Sequence, residues 1–163
     1  MSTPLDERLA ALLSALDKLP PYRGLSYRGY TGRQGQTFQR AIPSAVLVST
    51  SRDPRVATDN FSTDGVYAVI GRRGRDLTSV SERPDEQEVV FRPGSVYLPI
   101  ERFDADGLEV AVVEELDPDN DPNAQPPFTL DQLKDLMTEA IRDARERPSV
   151  DDPTPGKFTG PLA

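Results

Sequence analysis

The proline pair Pro20-Pro21 divides this chain into two kinds of sequence. Ahead of it, Leu5, Leu9, Leu12, Leu13 and Leu16 recur at the spacing that gathers them on one helical face. Thr3 followed by Pro4 supplies a cap and a first helical residue, so the sequence predicts a helix over 3–18. Two successive prolines cannot extend it, because neither has an N–H to donate and each ring restricts the residue before it. Past the pair, apolar and β-branched residues cluster in short runs at 22–30, 45–50, 66–70, 88–91, 95–100 and 108–116, cut by proline and glycine. A helix followed by many short strands predicts an α+β domain with mainly antiparallel sheets.

The rest of the chain sorts by the same signals. Asp53-Pro54 can cap and open a short helix to about Asn60. The stretch 117–128 reads as a linker, since aspartate, asparagine and proline dominate it. Thr129 with Gln132 forms a capping-box pattern, and Leu130, Leu133, Met137, Ile141 and Ala144 carry a helix to roughly Arg147. The tail 148–163 has few means of burying itself and is expected to be poorly ordered. The expected organisation is a helical segment 1–19, a core 20–116, a linker 117–128, a helix 129–147 and the tail. At 163 residues this is one domain with room for a real core.

Composition matters mainly for the chemistry it removes. The chain has no cysteine and no histidine. Thiol nucleophiles, cysteine metal sites, the Ser-His-Asp arrangement and most catalytic zinc sites are therefore excluded, and no metal site is expected. A net charge of −8 argues against a nucleic-acid binder, which needs a basic face. The cluster Arg72, Arg73 and Arg75 reads as an exposed turn rather than a phosphate clamp. No apolar run reaches membrane-spanning length and no signal peptide is visible, so the expectation is a cytoplasmic protein, or one exported into a target cell by a non-classical route. Reactive groups must come from carboxylates, hydroxyls and arginines.

Short segments carrying those groups follow a recognisable order: Ser26-Tyr27-Arg28-Gly29; then Leu47-Val48-Ser49-Thr50-Ser51, with Phe61 further on; then Glu86-Gln87-Glu88-Val89-Val90-Phe91-Arg92-Pro93-Gly94. Together they resemble the arginine-serine-glutamate class of mono-ADP-ribosyltransferases, a family of bacterial toxins, effectors and vertebrate ecto-enzymes. The resemblance covers roughly 20–116. It implies two packed, mainly antiparallel sheets flanking an NAD cleft, with a helix at each end of the chain.

It also implies roles. Glu88 would steady the cationic transition state of NAD cleavage, and Ser49 would orient Glu88. Arg28 would hold the NAD phosphates, and the Gly29 backbone would approach the cofactor closely. Phe61 would pack on nicotinamide. Thr50 is a further candidate for the cofactor side, although Thr50 and Ser51 read more readily as support for the strand end than as contacts to NAD. Glu86, two residues before Glu88, would attract and deprotonate an acceptor guanidinium; if the segment is extended, the two carboxylates share one side. NAD enters as substrate with no metal, and the partners implied are an arginine-bearing target protein and an immunity or carrier protein.

The chemistry is consistent with the missing histidine. Breaking the bond between ribose and nicotinamide passes through an oxocarbenium-like state, and the leaving ring departs neutral without a general acid. Each motif alone has an ordinary reading: a solvated strand edge for the glutamates, a capping turn for Ser49-Thr50-Ser51, a core aromatic for Phe61. Tyr22-Arg23-Gly24 repeats the arginine motif, making Arg23 the rival of Arg28. Rival functions are an NAD glycohydrolase using the same cleft and a non-catalytic interaction module.

Overall fold

In the computed structural model, which describes residues 4–32, 40–117, 128–151 and 156–163, the strand β4 (Gly65–Asp76) organises the sheet. It pairs antiparallel with β1 (Pro21–Tyr30), from Tyr30 opposite Gly65 to Pro21 opposite Arg75. On another edge it runs parallel to β7 (Leu108–Glu115). Its last residues, Arg75 and Asp76, pair with β5 (Glu88–Phe91). With β2 (Ile42–Pro43), β3 (Val48–Ser51) and β6 (Val96–Ala105), the order is β1-β3-β5-β4-β7-β6-β2. Because β1 also pairs with β4, the hydrogen bonding is continuous and the β3–β5 pair is joined to the main sheet at both sides.

Alternation along β4 explains why the run Val66-Tyr67-Ala68-Val69-Ile70 is apolar throughout. Val66, Ala68 and Ile70 enter one cluster with Tyr27, Val110 and Val112, beneath the helix α3 (Leu130–Glu146). Tyr67 and Val69 enter the other, with Tyr30, Val48, Val89, Phe91 and Tyr97. A strand covered on both faces reads as a continuous hydrophobic run. The strand also continues where an exposed turn was expected. Gly71 and Gly74 make this possible, because a Cβ at either would meet Phe91 or Val89 side-chain carbon at 2.9 Å. Arg72 is buried and pairs with Glu114, while the Arg72 and Arg73 N–H groups donate to Glu115 Oε1 at 2.7 Å each.

The two long helices differ in how they are held. In α3, Leu133, Met137, Ile141 and Ala144 are buried, each large side chain contributing about 1.5–3 kcal/mol by leaving water. Thr129 Oγ1 accepts from Gln132 N and Gln132 Oε1 accepts from Thr129 N, completing the expected capping box. By contrast α1 (Pro4–Asp17) buries Leu16 but leaves Leu9 and Leu12 exposed. The expected cap Thr3 and most of the expected linker, 118–127, lie outside the described residues. No described helix is long and apolar enough to cross a membrane.

The tail departs from expectation. Phe158 and Leu162 are fully buried, and Leu162 belongs to the second core cluster. Composition suggested poor order because these apolar residues are sparse. Backbone pairing supplies the rest: Gly29 N donates to Phe158 O at 3.0 Å and Gly160 N donates to Gly29 O at 2.9 Å, forming a parallel bridge beside β1.

Candidate active site

Glu86 and Glu88 reach one place by a route other than the extended one expected. Glu86 ends a 3-10 turn (Pro84–Glu86), Gln87 takes a left-handed conformation at φ 46°, and Glu88 starts β5. Both carboxylates still converge: Lys157 Nζ lies 3.1 Å from Glu86 Oε1 and 3.0 Å from Glu88 Oε1. Both are buried, and Glu86 Oε2 has no hydrogen-bond partner among the described residues. Burial alone would lower the Lys157 pKa, but its hydrogen bonds to Glu88 and Glu86 outweigh that and raise it. A left-handed non-glycine residue between paired acids is the kind of strain found where a side chain must be aimed.

The end of β3 holds this turn in place. Ser51 Oγ donates to Glu86 O at 2.6 Å and accepts from Asp53 N at 3.0 Å, and Arg52 N donates to Gln87 O. Ser51, rather than Ser49, therefore makes the described side-chain bond to the glutamate segment. In the β3–β5 register Ser51 faces Glu88 and Ser49 faces Val90, so Ser49 shares the Glu88 side one step along. Thr50 points to the opposite side; it is fully buried and donates to Val89 O at 2.7 Å. Thr50 thus fastens β3 to β5.

Arg28 lies between β3 and the tail. Its Nη1 donates to Ser49 O at 2.8 Å and Lys157 O at 3.3 Å, and its Nε to Gly160 O and Pro161 O. Burial lowers its pKa. Gly29 has no room for a side chain, since an added Cβ would press on Ala57 O far inside contact distance and on Thr63 Cγ2 at 2.9 Å. Arg23 is elsewhere, lining a cavity of about 400 Å³ with Leu25, Tyr27 and Leu133 under α3. A second cavity, of about 470 Å³, is bordered by Arg73, Arg75 and Arg92. Neither is lined by Arg28, Glu86 or Glu88, which instead meet residues 157–161.

Phe61 is also set apart. It takes a left-handed φ of 62° after α2 (Pro54–Ala57), and its ring lies under the guanidinium groups of Arg55 at 5.0 Å and Arg145 at 4.6 Å. It packs on the cluster beneath α3, and no described contact joins it to Arg28, Glu86 or Glu88. Phe61 thus packs between α2 and α3. Sequence reasoning read Ser51 only as strand-end support and did not single out Lys157 or Gly160; the one available signal for those two was a tail that sets a lysine beside a phenylalanine between two glycines. Among the described residues, no group of His, Cys, Asp and Glu is placed to hold a metal.

This arrangement of strands is shared with solved proteins. HopU1 of Pseudomonas syringae pv. Tomato DC3000 superposes with a TM-score of 0.58 at 21% identity, over 71% of this chain and 56% of that one. Plx2a of Paenibacillus larvae gives 0.58 at 15% identity, over 71% and 73%. Both are ADP-ribosyltransferases. The fold is the ADP-ribosyltransferase fold.

Sequence relatives of this fold point the same way. The NAD(+)–protein-arginine ADP-ribosyltransferase Tre1 of Serratia proteamaculans (strain 568) is 30% identical over 122 residues, 70% of this chain and 26% of its own length. The ADP-ribosyltransferase toxin AexT of Aeromonas salmonicida is 33% identical over 85 residues, 48% of this chain and 18% of its own. A Mycobacterium avium (strain 104) protein whose name proposes NAD(+)–arginine ADP-ribosyltransferase activity is 36% identical over 96 residues, 55% of this chain and 12% of its own. The chain thus spans between 12% and 26% of these curated relatives. No family model matches it.

Proposed function

We propose that this domain is an NAD-dependent mono-ADP-ribosyltransferase of bacterial toxin or effector type, transferring ADP-ribose to arginine on a target protein. The observation that carries this reading is the convergence of Glu86 and Glu88 on a single cation, within 3.1 Å, beside the Arg28–Gly29 strand. The groups present suit NAD: a guanidinium with several oxygen partners for the diphosphate, a side-chain-free backbone at Gly29, and a buried carboxylate for the ribose. An immunity or carrier protein that restrains such an enzyme belongs to the same reading.

In this mechanism Arg28 fixes the diphosphate, and Glu88 accepts a hydrogen bond from a ribose hydroxyl while stabilising the positive charge that develops as the bond to nicotinamide breaks. Glu86 draws in the acceptor guanidinium, whose pKa above about 12 keeps it protonated in water, and takes its proton as nitrogen bonds to the ribose carbon. Ser51 acts at one remove, holding the glutamate turn.

The test follows nicotinamide release and label transfer from labelled NAD to protein. Glu88→Gln should lower both on the order of a hundredfold or more. Glu86→Gln should lose arginine transfer yet keep most NAD hydrolysis. Equal nicotinamide release by the wild type and Glu88→Gln would sink the catalytic assignment, and parallel loss of both activities in Glu86→Gln would remove the division of labour.

A further inference from the structure

The C-terminal segment 156–162 engages the polar groups that the proposed reaction requires. Lys157 Nζ takes one oxygen of Glu86 and one of Glu88. The Gly29 N–H and C=O are both paired, to Phe158 O and Gly160 N. Arg28 donates to the carbonyl oxygens of Lys157, Gly160 and Pro161. We propose that this segment is an intramolecular pseudosubstrate. Lys157 stands where the acceptor cation would stand, and the 158–161 backbone lies where the dinucleotide would lie, so NAD binds only as the segment leaves. The inference rests on the function proposed above.

The chemical match is specific at each contact. Carbonyl oxygens gathered around Arg28 resemble the oxygens a diphosphate would offer. The peptide at 158–160 gives Gly29 one acceptor and one donor, as a primary carboxamide would. The mismatch is equally informative. Glu86 Oε2 is buried and without a partner among the described residues, since an ammonium on Oε1 leaves the second oxygen unfilled. A guanidinium, with its fork of donors, suits both oxygens. The carboxylates are thus better suited to an arginine than to the lysine that occupies them.

A chain of contacts delivers the segment from α3. Arg147 donates to both carboxylate oxygens of Asp53 at 2.9 and 3.1 Å, Asn60 exchanges hydrogen bonds with Val150, and Arg83 donates to Asp151 O. Past residues 152–155, the seat depends on glycine. Gly160 has φ +119°, and a Cβ there would come within 3.3 Å of Arg28 Nη2. Phe158 and Leu162 anchor the segment in the core. Closure is therefore held by apolar anchors and by Lys157, whose side chain is 28% exposed.

The test uses the full chain and measures NAD affinity by calorimetry together with amide hydrogen exchange. Lys157→Ala should strengthen apparent NAD affinity on the order of tenfold, because the competent fraction of molecules rises. Gly160→Val should act in the same direction by straining the seat. Lys157→Arg should act oppositely, since its fork can fill Glu86 Oε2. In the wild type, NAD should speed exchange at 156–162 and slow it at 47–51. If Gly160→Val fails to fold, the partly exposed Lys157 pair of variants still decides the sign. Equal NAD affinity in all forms would overturn the inference and leave the function standing; so would NAD-induced protection of 156–162. Failure of every form, including Lys157→Ala, to bind NAD would overturn both.

Discussion

Tyr22-Arg23-Gly24 and Tyr27-Arg28-Gly29 are the same tripeptide, five residues apart on β1, and they face opposite ways. An odd offset on an alternating strand sends equivalent side chains to different faces. Tyr22 accordingly packs against the cluster of Phe91 and Tyr97, and Tyr27 lies in the cluster beneath α3. Arg23 lines the cavity under α3, whereas Arg28 meets Ser49 and the tail that carries Lys157 to the glutamates. Identical local sequence meets different surroundings across an odd offset, with a register shift against β4 between Tyr22 and Gly24. The difference also separates a glycine that must be glycine from one with more latitude.

The sharpest way to break this comparison is to remove each arginine in turn. Arg28→Ala should reduce nicotinamide release on the order of a hundredfold, because a positioned charge is lost from the proposed diphosphate site. Arg23→Ala should stay within a few-fold of wild type. Parallel assays on the two purified variants check this, with thermal unfolding to confirm the fold. If Arg23→Ala is the more damaging, parity has chosen the wrong arginine.

How far the sequence could reach is visible in the same strand. Periodicity located β1, β4, β5, β7 and α3, because a face that must be buried leaves a regular apolar pattern. It could also bring Arg28, Ser49, Glu86 and Glu88 into one neighbourhood through their family resemblance. What it could not read was direction at irregular points. Gln87 in a left-handed conformation, Phe61 turned between Arg55 and Arg145, and Arg72 buried against Glu114 all depend on partners distant in sequence. The packing of 156–162 was not legible for the same reason: Leu162 joins a cluster with Tyr30, Val48, Val89 and Phe91, and Phe158 bonds Gly29, all distant in sequence.

A second contrast concerns the glycines. A side chain at Gly29 would drive into the backbone oxygen of Ala57, which cannot rotate away. Overpacking of this kind costs about 1–3 kcal/mol or more, so Gly29→Ala should lower the urea midpoint clearly. At Gly24 the nearest atoms belong to the Tyr22 ring, starting at 3.0 Å, and a side chain can give way. Gly24→Ala should therefore cost about 1 kcal/mol or less. Equal losses would mean that the approach of α2 to β1 is softer than the packing indicates.

The smallest expected difference lies between the tyrosines, and it can be read in two solvents. Tyr22 Oη donates to Leu25 O at 2.8 Å, so Tyr22→Phe should cost about 1 kcal/mol at neutral pH. No hydrogen bond of the Tyr27 hydroxyl is described, and Tyr27→Phe should stay within about 0.5 kcal/mol. Alkali separates them further. Burial raises the Tyr27 phenol pKa well above its ordinary 10.0, and raises that of Tyr22 as well. A phenol raised in the folded state favours folding fully below pH of about 10; as pH climbs above that, the unfolded chain ionises first and the advantage is lost. Tyr27→Phe should therefore blunt the fall in stability between neutral and strongly alkaline pH, followed by urea unfolding at each pH. An unchanged alkaline slope would show that the Tyr27 ring is less enclosed by α3 than its packing implies, and that the two faces of β1 differ less than the twin tripeptides suggest.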